Sequence, residues 1–231
     1  MKNLIGGRDG FILFFCLMII VTNAFAAEKS RFYDVEAFPQ ALDSQCREGV
    51  ARLYDECGSQ VEIVKSAVTR AAETGKTTLV VYGAEWCVWC FVLDAYLKGN
   101  YREFYYAWER DPESNKWAMT QKSNDAAKPQ AKQLNQYVAE NFVVAHIESE
   151  HAPDGIEAIE SIGIDESKVD FYPFIVAVSK AGNYTGQLFA YEAIQHAEQR
   201  KDSDGKKIKS FDRAVLLEKL RELRSVDIEE N

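Results

Sequence analysis

The run Leu79-Val80-Val81-Tyr82-Gly83-Ala84 is apolar on both alternating faces and leads directly into Trp86-Cys87-Val88-Trp89-Cys90. A segment with no solvent-facing side is the central strand of a sheet covered by helices on both sides. Just after it, Cys90, Leu93 and Leu97 recur at steps of three and four, the spacing of one helix face, so a helix opens at Cys87 and continues through Leu97. A further helix precedes the strand, with Val61, Val64, Lys65, Val68 and Ala72 at helical spacing up to Gly75. The chain is therefore committed to an α/β fold, with two thiols where the buried strand hands over to a helix.

That placement points to redox chemistry. A thiol at a helix N-terminus faces unpaired backbone N–H groups and the positive end of the helix dipole, which favour the thiolate that attacks disulfides. The helical spacing turns Cys90 inward and leaves Cys87 at the solvent-facing end, giving one attacker and one resolver. A CxxC pair can also be half of a zinc site. Here no second pair has matching spacing, and His146, His151 and His196 form no ligand pattern, so metal ligation is the weaker reading. Covalent haem needs a histidine after the second cysteine, where this chain has Phe91. His146 falls on an expected strand as a packed or rim residue. Neither a metal nor an organic cofactor is called for.

The beginning of the chain indicates a compartment. Lys2 and Arg8 precede the apolar run Phe11 to Val21, and Ala24-Phe25-Ala26 follows, the pattern of a cleaved secretory signal spanning residues 1–26. A membrane span needs roughly 20 apolar residues, and Thr22 and Asn23 interrupt this run too early. Cys16, preceded by bulky Phe15 inside the run, leaves with the signal rather than carrying a lipid. The expected location is the bacterial periplasm. Loss of Lys2, Arg8 and Asp9 makes the mature chain one unit more acidic than the −9 of the whole, which disfavours nucleic-acid binding. Roughly 205 residues then suffice to bury one full core.

Among the remaining cysteines, Cys46 and Cys57 belong to a segment with helical apolar spacing at Leu42, Cys46, Val50, Leu53 and Cys57. On one helix they would lie about 16 Å apart, too far to bond. Pairing, usual for exported cysteines, requires a bend, best placed at Glu48-Gly49, and competes with two buried free thiols. The expected elements are then an irregular lead-in over 28–40 and a helix over 41–57, stopped at Gly58. Tyr101, Phe104, Tyr105 and Trp108 form a helical stripe, a polar loop runs from Asp111 to Pro129, and a helix covers 130–141. Phe142–Ile147 is a strand, Gly155–Ile162 a short helix and Phe174–Val178 a strand. A turn at Lys180–Asn183 leads into a strand over Tyr184–Tyr191. After a charged connection from Gln195 to Lys209, Ser210 caps a last helix striped by Phe211, Val215, Leu216, Leu220 and Leu223. The acidic tail 227–231 frays.

Through Ala84-Glu85-Trp86-Cys87-Val88-Trp89-Cys90 after a buried strand, and Tyr172-Pro173 opening a later strand-hairpin-helix unit, the chain resembles the thioredoxin family over roughly residues 59–100 and 130–224. The resemblance implies a central mixed sheet flanked by helices over 59–226, preceded by a helical extension over 27–58 and interrupted by an aromatic-rich insertion at 99–129. It also implies a cis Pro173 packed beside the thiols, with Trp86, Tyr172 and Pro173 bordering a groove for an extended peptide. Reductases of this kind commonly bury an aspartate six residues before the first cysteine, where this chain has Val81. Glu85 and Asp94 are stand-ins by position, although solvated charges are the plainer reading of both. Oxidants of the superfamily often carry a histidine between the thiols, and Val88-Trp89 supplies none, which leans toward reduction.

The implied activity is that of an exported thiol-disulfide oxidoreductase. Its partners would be protein disulfides and an upstream redox partner, either a membrane electron donor for reduction or an oxidase for the reverse cycle. The competing reading is a non-catalytic binding or chaperone-like module that holds a partner through the aromatic insertion. The small segment 28–58 is a candidate for self-association, and the sequence leaves the oligomeric state open.

Overall fold

A computed structural model describes residues 32–110 and 117–229. The expected signal, its cleavage point and Cys16 lie outside the described residues, as do the last two residues of the acidic tail. Among the described residues no helix is long and apolar enough to cross a membrane.

Five strands form the main sheet: β1 (Ala37–Phe38), β2 (Thr77–Gly83), β5 (Phe142–Glu148), β6 (Phe174–Val178) and β7 (Tyr184–Leu188). They lie in the order β1-β5-β2-β6-β7, with β1, β5 and β2 parallel and β6 and β7 antiparallel to their neighbours. Every residue of β2, β5 and β6 is buried, as expected for strands covered on both faces. On one face Val80, Tyr82, Val143, Ala145, Ile147 and Val176 pack against α1 (Gln60–Thr74) and α4 (Gly155–Ser161). On the other, Leu79, Val81, Phe142, Val144, Ile175 and Ala177 meet α2 (Val88–Leu97), α3 (Lys128–Asn141), α5 (Ala190–Glu198) and α6 (Arg213–Glu229). This central mixed sheet between two helical layers is a thioredoxin-like architecture.

Several expectations are corrected. Residues 41–57 are not a helix. They form irregular chain with a short 3-10 turn at Cys46–Gly49, broken where Arg47 and Gly49 adopt left-handed backbone angles of φ 44° and 69°. The lead-in contributes β1 to the sheet, so the stretch before residue 59 is no helical extension. The insertion is a two-stranded antiparallel sheet, β3 (Arg102–Arg110) with β4 (Trp117–Ser123), rather than a helical stripe and loop. Its pairing shifts register between Tyr105 and Trp108, a bulge that destroys the two-residue alternation a strand would otherwise show in sequence.

The inward face of α1 is Gln60, Ile63, Val64, Ala67 and Ala71, so the stripe read through Val61, Lys65, Val68 and Ala72 is rotated from the true one. β7 ends at Leu188, and α5 occupies part of the expected strand and the start of the expected charged connection. At α6 the cap is Asp212, whose carboxylate accepts from the N–H groups of Ala214 and Val215 at 2.9 and 3.3 Å. Asp227–Glu229 continue that helix instead of fraying.

Ser210 has a different task. Its hydroxyl donates to Glu103 Oε2 at 2.9 Å, and Tyr96 Oη makes the same contact at 2.9 Å. The buried guanidinium of Arg213 donates to Glu103 Oε1 at 2.7 Å and to the carbonyls of Asn100 and Arg102 at 2.9 and 2.8 Å, while stacking 3.8 Å from the Tyr96 ring. One ion pair thus fastens the base of the hairpin to α2 and to the start of α6. Arg200 also lies 3.8 Å from Glu103 Oε1 and compensates part of its charge, so Arg213→Leu should lower stability by about 2–4 kcal/mol. Urea unfolding checks this, and a loss under about 1 kcal/mol would mean that the pair is not dry.

Candidate functional site

The strand-to-helix turn sets the site. β2 ends at Gly83, whose carbonyl accepts from Ser149 N at 2.8 Å, and the chain then turns through the Cys87 N–H bond to Ala84 O at 2.9 Å. Cys87 becomes the N-cap of α2, and its sulfur accepts from the Cys90 N–H at 3.1 Å. A helix-end donor, shared with the Cys87 carbonyl at 3.0 Å, is therefore already aimed at this sulfur. Cys87 and Cys90 are joined as a disulfide, with Cα atoms 5.3 Å apart. Cys90 points inward as expected. Cys87 is only 3 % exposed, so it lies at the floor of a cleft rather than out in solvent.

That cleft, of about 490 Å3, is lined by Trp86, Cys87, Val88, Trp89, Val169, Asp170, Phe171 and Tyr172. Tyr172–Pro173 is a cis peptide bond, with Tyr172 lining the cleft and Pro173 buried behind it. Trp86 is 57 % exposed, stands edge-on to Tyr172 at 5.9 Å between ring centroids, and donates through Nε1 to Glu150 at 2.8 Å. Exposed Tyr191 touches Phe171 at 5.6 Å and Phe189 at 5.8 Å, continuing the aromatic rim.

Cys46 and Cys57 are paired, with Cα atoms 5.8 Å apart. Their loop belongs to the site, which the sequence reading did not anticipate. Leu53 and Tyr54 pack with Cys87 and Cys90, and Arg52 stacks on Phe91 at 4.5 Å. Glu85 is no solvated charge. Its carboxylate accepts from the N–H groups of Arg52, Leu53 and Tyr54 at 2.8, 3.1 and 3.1 Å. Asp94, also largely shielded at 16 % side-chain exposure, pairs with Lys98 at 2.9 Å and lies 3.4 Å from His146 Nε2.

His146 sits beside Val81 in the β5–β2 register, on the sheet face that α2 covers. It is packed, as expected, yet its Nε2 is buried without a hydrogen-bond partner. His151 and His196 lie elsewhere and are exposed. Among the described residues no three His, Cys, Asp or Glu side chains gather as metal ligands would. Polar residues within an otherwise apolar strand were the signal that could have drawn attention to His146 and, beneath the cleft, to its edge-on contact with Tyr54 at 5.7 Å.

No protein-family model and no curated protein matches the chain. Among solved structures, a disulphide isomerase from Xylella fastidiosa Temecula1 aligns at 18 % identity over 71 % of this chain and 92 % of that one, with a TM-score of 0.40. An alignment this loose carries no weight in reading the site.

Burial holds His146 well below its ordinary 6.5, at about 4, against the opposing pull of Asp94; Lys98 lowers it further, and hydrogen bonding to the Phe38 backbone opposes. Between pH 6.5 and 4 the unfolded chain binds a proton on this ring that the folded chain refuses. Stability is therefore full above pH 6.5 and falls as the pH drops toward 4, by up to about 3 kcal/mol. Denaturation at pH 7 and pH 4.5 checks the slope, and His146→Gln should flatten it.

Proposed function

We propose that the protein is an exported thiol-disulfide oxidoreductase acting on protein disulfides, in the reducing direction. The observation that carries this reading is Cys87 at the helix N-cap with the Cys90 N–H directed at its sulfur, on the floor of an aromatic cleft. In the reduced protein the Cys87 thiolate attacks one sulfur of a client disulfide. The client bond breaks, its other sulfur leaves as a thiolate that takes up a proton, and a mixed disulfide remains. Cys90 gives up its proton and attacks Cys87 Sγ, which releases the second client sulfur as a thiol. The client gains two electrons and two protons, and the protein is left with the Cys87–Cys90 bond.

Trp86 and Tyr172, with Pro173 behind them, border a surface suited to an extended client segment, and the aromatic rim favours apolar side chains beside the client cysteine. No cofactor enters this cycle, but an upstream dithiol donor must return the pair to the reduced state. A donor in or on the membrane suits a periplasmic location, which the apolar stretch Phe11 to Val21 supports. The lean toward reduction rests on Val88-Trp89, which offers no positive charge between the thiols. For the competing binding-module reading, Phe104 and Tyr105 of the insertion offer no docking surface, because both are buried.

Replacing Cys90 with serine separates the two readings. Cys90→Ser should accumulate mixed disulfides with client proteins through Cys87, seen as high-mass bands on non-reducing gels that DTT removes. Cys87→Ser should give none and should reduce a protein disulfide no faster than background. Association of Cys90→Ser with partners that is unaffected by DTT would contradict the enzyme.

A further inference from the structure

Beneath the redox pair lies a buried polar group that the cycle above does not use. Tyr54 Oη is wholly buried and has no hydrogen-bond partner among the described residues. It shares the space over Gly83 with the resolving sulfur: the point where a Gly83 Cβ would stand is 2.6 Å from Cys90 Sγ and 2.8 Å from Tyr54 Oη. Glycine leaves room there for the two atoms to approach. An unmet hydroxyl in a dry interior is costly, and the oxidised sulfur, a poor acceptor in a disulfide, does not relieve it.

We infer that Tyr54 is a catalytic residue of the redox centre, donating its hydroxyl to Cys90 Sγ once the Cys87–Cys90 bond is reduced, and that the Cys46–Cys57 loop exists in part to hold it there. This rests on the redox reading of Cys87 and Cys90 given above. When two glutathione thiols reduce the pair, the S–S bond breaks, glutathione disulfide forms, and Cys90 Sγ becomes a thiol or thiolate able to accept. The hydroxyl that was unmet in the oxidised protein then gains its partner, so the contact favours the reduced form and stabilises the anion Cys90 must become to resolve a mixed disulfide.

The surroundings make such a donor useful. Asp94 on α2, Glu85 in the turn before it, Glu148 on β5 and the Tyr172 hydroxyl all face the Tyr54 pocket, and Lys98 and His146 border Asp94. Burial first, then these acidic groups, push the Tyr54 hydroxyl well above its ordinary range, so it stays protonated and able to donate. The same negative field opposes a Cys90 thiolate, and a neutral donor offsets it without adding charge. Tyr54 itself is fixed from three sides, by its backbone N–H on Glu85, by the Cys46–Cys57 bond at the ends of its loop, and by the His146 ring.

The test is a redox titration against glutathione of the wild type, Tyr54→Phe, Cys46→Ala/Cys57→Ala and the combination of all three changes. Tyr54→Phe should lower the equilibrium constant for reduction by glutathione about tenfold, a shift of about 30 mV toward more negative potential. In a Cys87→Ser background it should also move the alkylation profile of Cys90 to higher pH. Opening the outer disulfide should shift the potential in the same direction, with little further change once Tyr54 is phenylalanine, as for coupled rather than independent sites.

A Tyr54→Phe protein with a lowered melting temperature but unchanged potential and unchanged Cys90 profile would reduce Tyr54 to packing and overturn the assignment. Should Tyr54→Phe fail to fold, an outer-disulfide variant that folds and keeps the wild-type potential would overturn it equally. A wild-type pair that never equilibrates with glutathione would remove the redox reading itself, a different failure that takes this assignment with it.

Discussion

Three consecutive backbone N–H groups, of Arg52, Leu53 and Tyr54, converge on the carboxylate of Glu85, the residue two before the Cys87 helix cap. Charge-assisted bonds of this kind are shorter and stronger than neutral ones, and three on one carboxylate leave it little freedom. The contact ties a loop with no regular structure of its own to the turn where β2 becomes α2. Everything peculiar to the site follows from that tie. It closes Leu53 and Tyr54 over the thiols, gives Cys90 a dry neighbourhood, and leaves Cys87 on the floor of the aromatic cleft.

The rest of the chain serves to keep that turn still. β2 is held between β5 and β6 and buried on both faces, so its end cannot drift. α2 is gripped from the far side by the Glu103–Arg213–Ser210–Tyr96 network, which makes the hairpin insertion part of the scaffold rather than an appendage. Preorganisation matters here because a thiolate gains from helix-end donors only if they already point at it when the proton leaves.

The strand and helix around the thiols were legible because their signals are local: a run apolar on both faces, then side chains at steps of three and four. The sequence was misleading where covalent or backbone constraints override periodicity. Leu42, Cys46, Val50, Leu53 and Cys57 have helical spacing, yet the left-handed angles at Arg47 and Gly49 and the Cys46–Cys57 bond fold the segment back on itself. Phe104 and Tyr105 are both buried although adjacent, an arrangement at the edge of a β-bulge that mimics a helix stripe. Ala190, Ala193 and Ala197 did carry the spacing of α5, hidden beside the strand-like aromatics Tyr184, Phe189 and Tyr191. His146 stood out as a polar residue in an apolar strand, but its meeting with Tyr54 could not be found from sequence, because it joins a loop and a strand that are distant along the chain.

The chemistry of the site depends on the state of one sulfur. Rapid alkylation of Cys87 in reduced Cys90→Ser protein, followed across pH, reports its thiolate directly. A helix-capped sulfur should titrate clearly below the ordinary thiol value of about 8.5 and react near neutral pH far faster than a free thiol of that value. A midpoint at or above it, with no excess reactivity at pH 7, would contradict the central claim.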